Sequence, residues 1–346
     1  MNERVAIEAR NAADLVSAGI VRIAAEPRDN REDPAAAPAY TVALLADDYP
    51  ALTPAMWNAA YRALGMPERN ITVVANPEHA AASITALRRD PKYRGGGCGV
   101  GFKGAVILHL DELTPLARAM GAVNIVKNAP AGHLAGDNTD GEGFARAIEQ
   151  RFLARDTSLQ GKHILILGAG ETAVPIGAAV ARHGAEVTFL NRTESKAEAA
   201  AAAVNQYLGY RAAIAGGRHL IPTFLPTADA VVAAIFDRED PAADAYSPLG
   251  EMPRPVTAEA VAQNLAASMA LLKSAKTDLI VTDVRLRREP PALVAQASAL
   301  GLEAFDGKPM VIEQAIEAFW WLHGEMLERT GRTKAEVATI MREAAR

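Results

Sequence analysis

The chain of 346 residues has a single cysteine, Cys98. Neither an internal disulfide framework nor a cysteine-rich metal site is available to it, no metal is expected, and a reducing compartment fits. No apolar run reaches the ~18 residues needed to span a bilayer. Glu3, Glu8 and Asp14 interrupt the start where a signal peptide would be apolar, so the cytoplasm is the expected location. Charge of one sign is missing too: 36 basic and 41 acidic residues give a formal charge of −5 without a long single-sign run. Nothing attracts a nucleic-acid backbone or an anionic membrane, and small soluble partners are favoured.

What is present is apolar mass. With 50% hydrophobic residues the chain can bury a sizeable core, and its length suggests two domains. Residues 1–40 read as a short amphipathic helix (Ile7, Leu15, Val16, Ile20) followed by "EPRDNREDPAAAPAY", a linker or surface arm. From "YTVALLAD" onward, apolar runs alternate with helical patterns: "TVALLA", a helix from Pro54 to Leu64, "NITVVA" and a helix from Pro77 to Arg89. Such alternation predicts an α/β domain with a mostly parallel sheet, placed at 41–145. A second α/β domain, 146–311, starts at "KHILILGAG" and continues through "AEVTFLN", "ADAVVAAIF" and "DLIVTDV". Residues 312–346 read as helical and return to the first domain, with Thr333 and Glu336 spaced as a capping box.

The second domain opens with an apolar strand, the turn Gly168, Ala169, Gly170, Glu171, Thr172, Ala173, and a helix. Gly168 permits a tight turn, Gly170 lets the backbone approach a pyrophosphate, and Ala173 allows close helix-to-strand packing, while the helix start supplies amide donors. This predicts a Rossmann-type dinucleotide site. A carboxylate ending the next strand would select NAD; the strand ends instead at Asn191, followed by Arg192, Thr193 and Lys196. Two cations and a hydroxyl suit the 2′-phosphate of NADP, against the plainer reading of a solvated helix start.

In the first domain, "GGGCGVGFKGAVILHL" lacks the Gly-Lys-Ser/Thr of a phosphate loop, and a calcium loop aligned on "GDNTDGEGF" would have Gly136 and Ala147 at its first and last ligand positions. Both readings fail. There remain Lys103, after a flexible apolar segment, and Asp140, at the start of a helix carrying Phe144, Ile148 and Phe152 on one stripe. By pattern alone these are a surface lysine and a helix cap. His109 and His133 are rival acid–base candidates.

The order Lys103, "ELTPLARAMGAVN", "LAGDNTDGEGF", "LGAGETA", "NRT" and "DGKPMVIEQAIEAF" closely resembles the shikimate dehydrogenase family over about residues 40–322. The resemblance implies a substrate domain and an NADP domain with a cleft between them, and reduction of a ring ketone by NADPH. It assigns Lys103 and Asp140 to the catalytic pair, and Asn124 and Gln314 to ligands of the ring hydroxyls. Hydride delivery to a carbonyl carbon builds negative charge on its oxygen, so an ammonium that hydrogen-bonds and then protonates that oxygen stabilises the transition state. A carboxylate beside the ammonium orients it and favours its charged form.

The chain departs from the family where the substrate carboxylate is held. The Ser-x-Ser-Pro loop appears as "ALTP", with Ala51 and Thr53 at the serine positions, and the following His-Asn pair is Trp57-Asn58. Gly99 stands at a family threonine, Gly101 at a proline, and Leu286 at the tyrosine of the late "YNP" segment. Loss of these groups predicts a changed substrate, a cyclic polyol or ketone with a smaller or missing carboxylate. The alternatives are a true shikimate dehydrogenase whose carboxylate is re-anchored by Thr53 and an arginine of "RLRREP", or a non-catalytic NADP-binding regulatory protein. A monomer or homodimer is expected in each case.

Overall fold

Seven consecutive residues, Ala39–Leu45, are all buried and form β2 of the computed structural model, which describes residues 9–24, 38–46, 51–99, 101–236 and 240–346. A strand apolar on both faces belongs inside a parallel pair, and β2 pairs in parallel with β3, Glu68–Ala75. The chain divides into two units, one formed by Met1–Gly143 with Val311–Arg346, the other by Phe144–Met310.

In the first unit, β1 (Val21–Ile23) runs antiparallel to β3, making the order β1-β3-β2. This strand lies where only a helix and an arm were expected. The helix itself spans Ala12–Ser17, capped by Asn11, whose side chain accepts from the Asp14 amide. Ile7 and most of the expected arm fall outside the described residues. Ala12, Leu15, Ile20 and Val21 join one core with Tyr40, Val42 and Leu44, so the described part of 1–40 is core structure.

The glycine patch is also more structured than its composition suggests. Gly95–Gly97 forms β4, antiparallel to β6 (Ile125–Ala129). β6 is in turn antiparallel to β7 (His133–Asp137), and β7 is parallel to β5 (Glu112–Leu113). A Cβ on Gly95 would lie 2.1 Å from the Val126 carbonyl oxygen, and one on Gly96 would lie 2.0 Å from that of Val42. Both residues have positive φ, of +122° and +149°. Only glycine fits this squeeze between β2 and β6. The first unit therefore mixes parallel and antiparallel pairs instead of building one mostly parallel sheet.

The helix Thr53–Ala63 buries Trp57 and Tyr61 against Phe319 of the helix Lys308–Arg329, with ring centroids 5.5 and 5.2 Å apart. This aromatic layer carries the C-terminal helices back to the first unit. The last helix, Lys334–Ala344, is capped by Thr333, which accepts from the Glu336 amide at 3.2 Å. Beneath the layer the Tyr61 hydroxyl lies 3.1 Å from His323 Nε2. Burial, helped by Lys127 and Arg94, pushes His323 down to about 3. The folded pKa is below the unfolded one, so this contribution to stability is complete above pH ~6.5 and is lost as pH falls toward 3. His323→Phe is expected to flatten the fall of the urea midpoint between pH 6.5 and 4. An unchanged slope would assign acid sensitivity to other groups.

The second unit is a six-stranded, wholly parallel sheet in the order β10-β9-β8-β11-β12-β13. Its strands are β8 His163–Leu167, β9 Glu186–Asn191, β10 Ala213–Gly217, β11 Ala230–Ala233, β12 Ile280–Asp283 and β13 Glu303–Phe305. Chain order reverses at β8, and a dinucleotide binds at the carboxyl edge of such a switch point.

Candidate active site

Antiparallel pairing of β6 with β7 sets the site of the first unit. Ile125 faces Asp137, so Asn124, just before β6, lies beside Thr139 and Asp140, just after β7. The Val123 amide donates to the Lys103 carbonyl at 2.9 Å and the Cys98 amide to the Asn124 carbonyl at 2.7 Å, tying the lysine segment to the same corner. Phe102 and Val106, fully buried, anchor that segment on either side of Lys103.

Lys103 Nζ donates to Asp140 Oδ2 at 2.5 Å, and each side chain is only 7% exposed. Asn124 Nδ2 donates to Asp140 Oδ1 at 2.8 Å, so both carboxylate oxygens have partners. A buried ion pair is tolerated only when its remaining lone pairs are satisfied in this way. Asp140 is the first residue of the helix Asp140–Leu153, where the positive end of the helix dipole favours a carboxylate. Its amide donates to Asn138 Oδ1 at 3.1 Å, and it is Asn138, rather than Asp140, that supplies the side-chain acceptor at the helix start.

Thr139 was invisible to pattern reading and holds the corner together. Its amide donates to Asn124 Oδ1 at 2.8 Å, and its hydroxyl donates to the Gln314 carbonyl at 3.1 Å. Asn124 Nδ2 also reaches Gln314 Oε1 at 3.2 Å. A Cβ on Gly143 would lie 2.4 Å from the Gln314 amide nitrogen, so glycine permits this approach of the two helices. His133 is exposed and lies 3.3 Å from Glu112, while His109 contributes its carbonyl to Arg88; neither ring hydrogen-bonds to the Lys103 cluster.

The segment that differs from the family is apolar apart from Thr53 and Asn58. Ala51 is buried, Thr53 begins its helix, and Trp57 is buried with Nε1 donating to the Ala315 carbonyl at 3.0 Å. Asn58 is engaged with the Asn70 backbone. A Cβ at Gly99 would meet Leu45 Cδ2 at 2.6 Å, so Leu45 fills the space a threonine there would need.

In the second unit, Gly168 has φ +118°, and a Cβ on it would lie 2.5 Å from the Ala234 carbonyl, whereas Gly170 faces open space. The backbone at Gly170 is thus approachable, ahead of the helix Ala173–Arg182. Ala173 is fully buried, but the tightest helix-to-strand contact falls a turn later, where a Cβ on Gly177 would lie 2.3 Å from Phe189 Cζ. Ala169 is half-buried, Glu171 exposed and Thr172 buried. Asn191 Nδ2 donates to the Thr193 carbonyl at 2.9 Å, leaving Arg192, Thr193 and Lys196 exposed at the end of β9. These residues fit a dinucleotide with a 2′-phosphate. Leu286 is half-buried just after β12. Its neighbour Arg285 is 5% exposed and donates to both oxygens of Asp283 and to Asp244, and Arg287 also pairs with Asp244. Arg285 is therefore spent on carboxylates of its own chain.

Residues 49–126 match the shikimate dehydrogenase substrate binding domain, and residues 150–239 match shikimate/quinate 5-dehydrogenase. A shikimate dehydrogenase (NADP(+)) of Methanothermobacter thermautotrophicus is 30% identical over 78% of this chain and 85% of its own. The quinate dehydrogenase of Corynebacterium glutamicum, solved with NAD, has a TM-score of 0.65 at 25% identity, covering 88% of this chain and 99% of that one. A 5-ketofructose reductase of a Gluconobacter strain has a TM-score of 0.61 at 26% identity, covering 88% and 98%. The chain belongs to the shikimate dehydrogenase family. It is an NADP-dependent oxidoreductase acting on a CH–OH group.

Proposed function

We propose that the enzyme reduces a ring ketone on a small cyclic polyol without a carboxylate, with Lys103 as proton donor and Asp140 as the group that orients it. The observation that carries this reading is the buried pair at 2.5 Å together with the loss of side-chain donors at Ala51 and Gly99, where Leu45 fills the space, so that of the family's serine and threonine positions only Thr53 keeps a hydroxyl for a carboxylate. NADPH, when bound, supplies the hydride. Lys103 gives the ketone oxygen a hydrogen bond that strengthens as charge develops there, and then a proton. Asn124 and Gln314 are assigned to the ring hydroxyls. Ala51, Thr53, Gly99 and Leu286 mark the positions at which the substrate differs. The 5-ketofructose reductase supports the reading, since a ketofructose has no carboxylate. Re-anchoring by the late arginines is disfavoured for Arg285, whose donors are taken by Asp283 and Asp244. The single, buried cysteine suits a cytoplasmic enzyme, working as a monomer or homodimer.

Oxidation of NADPH with a panel of cyclic ketones tests this. Turnover of a carboxylate-free member is expected; tight NADP binding with no turnover across the panel would instead favour a regulatory binding protein.

Gly168, Ala169, Gly170, Glu171, Thr172 and Ala173 are assigned to the pyrophosphate turn, and Asn191, Arg192, Thr193 and Lys196 to the 2′-phosphate. Arg192→Ala is expected to weaken NADP+ binding about tenfold, the worth of one charge-assisted contact, and NAD+ binding far less. Equal losses, measured by calorimetry, would indicate a fold defect.

A further inference from the structure

Between β11 and β12 the described residues from Asp240 onward form a segment that the pyrophosphate motif does not explain. Asp244 accepts from Arg285 Nη1 at 2.7 Å and from Arg287 Nε at 2.8 Å, both just beyond β12. A few residues later, Arg218, the first residue after β10, donates from Nη2 to the carbonyls of Pro248 at 2.8 Å and Gly250 at 2.5 Å. Its Nη1 reaches Met252 Sδ at 3.4 Å. Asn264 braces the same loop, donating to the Ser247 carbonyl at 3.0 Å and the Glu251 carbonyl at 2.8 Å and accepting from the Ser247 amide at 2.8 Å. A Cβ on Gly250 would lie 2.5 Å from the Asn264 carbonyl oxygen, so no side chain fits there. The two anchors follow the carboxyl ends of β12 and β10, which lie on opposite sides of β8. This loop is built, and it is fastened at the edge where a dinucleotide binds.

Arg218 also stands next to Arg192. Asn191 and Gly217 are partners on adjacent parallel strands, and the two arginines are the next residue on each. Two guanidinium side chains thus leave one edge about a strand spacing, ~4.8 Å, apart. All three hydrogen-bond acceptors of Arg218 are neutral, and its buried Nε has none among the described residues. Burial pushes Arg218 below its ordinary value; the Glu251 charge opposes this, and the Arg192 charge adds a smaller push downward. A second cation beside Arg192, not neutralised through a hydrogen bond, favours an anion at this edge.

We propose that Arg218 is a specificity-determining positioning residue for the ribose 2′-phosphate: it fastens the Ser247–Met252 loop beside Arg192, and its charge adds to that of Arg192 toward the phosphate. The assignment is independent of which ketone is reduced. It is tested by calorimetric binding of NADP+ and NAD+ to the full chain, without turnover. Arg218→Met is expected to raise the ratio Kd(NADP+)/Kd(NAD+) at least tenfold, because only NADP+ carries the phosphate. Arg218→Lys, which keeps the charge and can reach one carbonyl, is expected to hold the ratio within about threefold of wild type. An unchanged ratio in Arg218→Met, whether both affinities fall together or neither falls, overturns the proposal. If Arg218→Met does not fold, Arg218→Gln, neutral but still able to donate to a carbonyl, is judged by the same tenfold criterion.

Discussion

Lys103→Ala is expected to lower kcat at least ~100-fold while the Kd for NADP+ stays within about twofold of wild type. The residues assigned to the dinucleotide belong to the second unit, and Lys103 to the first, so the loss falls on chemistry and not on cofactor binding. Removing one partner of a buried pair leaves the other charge uncompensated, at a cost of about 3–5 kcal/mol. Lys103→Ala with Asp140→Asn separates the two effects: the amide of Asn is neutral, so stability should recover while turnover stays lost. A folded Lys103→Ala enzyme keeping more than about a tenth of wild-type kcat would contradict the assignment of Lys103 as proton donor.

Restoring carboxylate donors is expected to have the next largest effect. Ala51→Ser with Thr53→Ser and Leu286→Tyr should improve kcat/KM for shikimate about tenfold or more, since one hydrogen bond to a charged carboxylate is worth roughly 1.5–3 kcal/mol. The gain should appear mainly in KM, because a contact remote from the reacting carbon is made equally before and during reaction. Gly99→Thr should not help by itself. Leu45 Cδ2 stands 2.6 Å from the new Cβ position, so the buried Leu45 side chain must first move aside. No gain in the triple variant would mean that these positions do not govern carboxylate recognition.

The elements most legible in the sequence were those whose burial alone dictates their form. β2, β3, β8, β9, β11 and β12 are apolar runs of strand length between turn signals, and the structure places them within a few residues of expectation, whereas β10 (AIAGG) and the three-residue β13 carry no such run and were not expected. β1 was not legible, because the alternation of Val-Arg-Ile lasts only three residues beside a helix, shorter than a strand signal can be read from. β4 was hidden by composition: three glycines argue against a strand, and the approach of Val126 and Val42 explains Gly95 and Gly96, while a side chain at Gly97 would meet only ordinary contacts. In the site, Lys103 and Asp140 came from resemblance and were brought to 2.5 Å by β6–β7 pairing that no local pattern encodes. Thr139, Leu45 and Arg218 act through partners 15 to 175 residues away, as with Thr139 at Asn124 and Gln314, and such contacts leave no short-range signal. For Gly143 a signal existed in "DGEGF", where a glycine inside a helical pattern marks a close approach.

Action of the ammonium–carboxylate pair on a ring ketone whose ring bears no carboxylate is tested by a matched pair of substrates. With NADPH saturating, kcat/KM is measured for 3-dehydroshikimate and for the same ring ketone lacking the carboxylate. At least a tenfold preference for the carboxylate-free ring is expected. A micromolar KM for 3-dehydroshikimate together with the higher kcat/KM for it would overturn the carboxylate-free assignment and establish an ordinary shikimate dehydrogenase with a rebuilt carboxylate site.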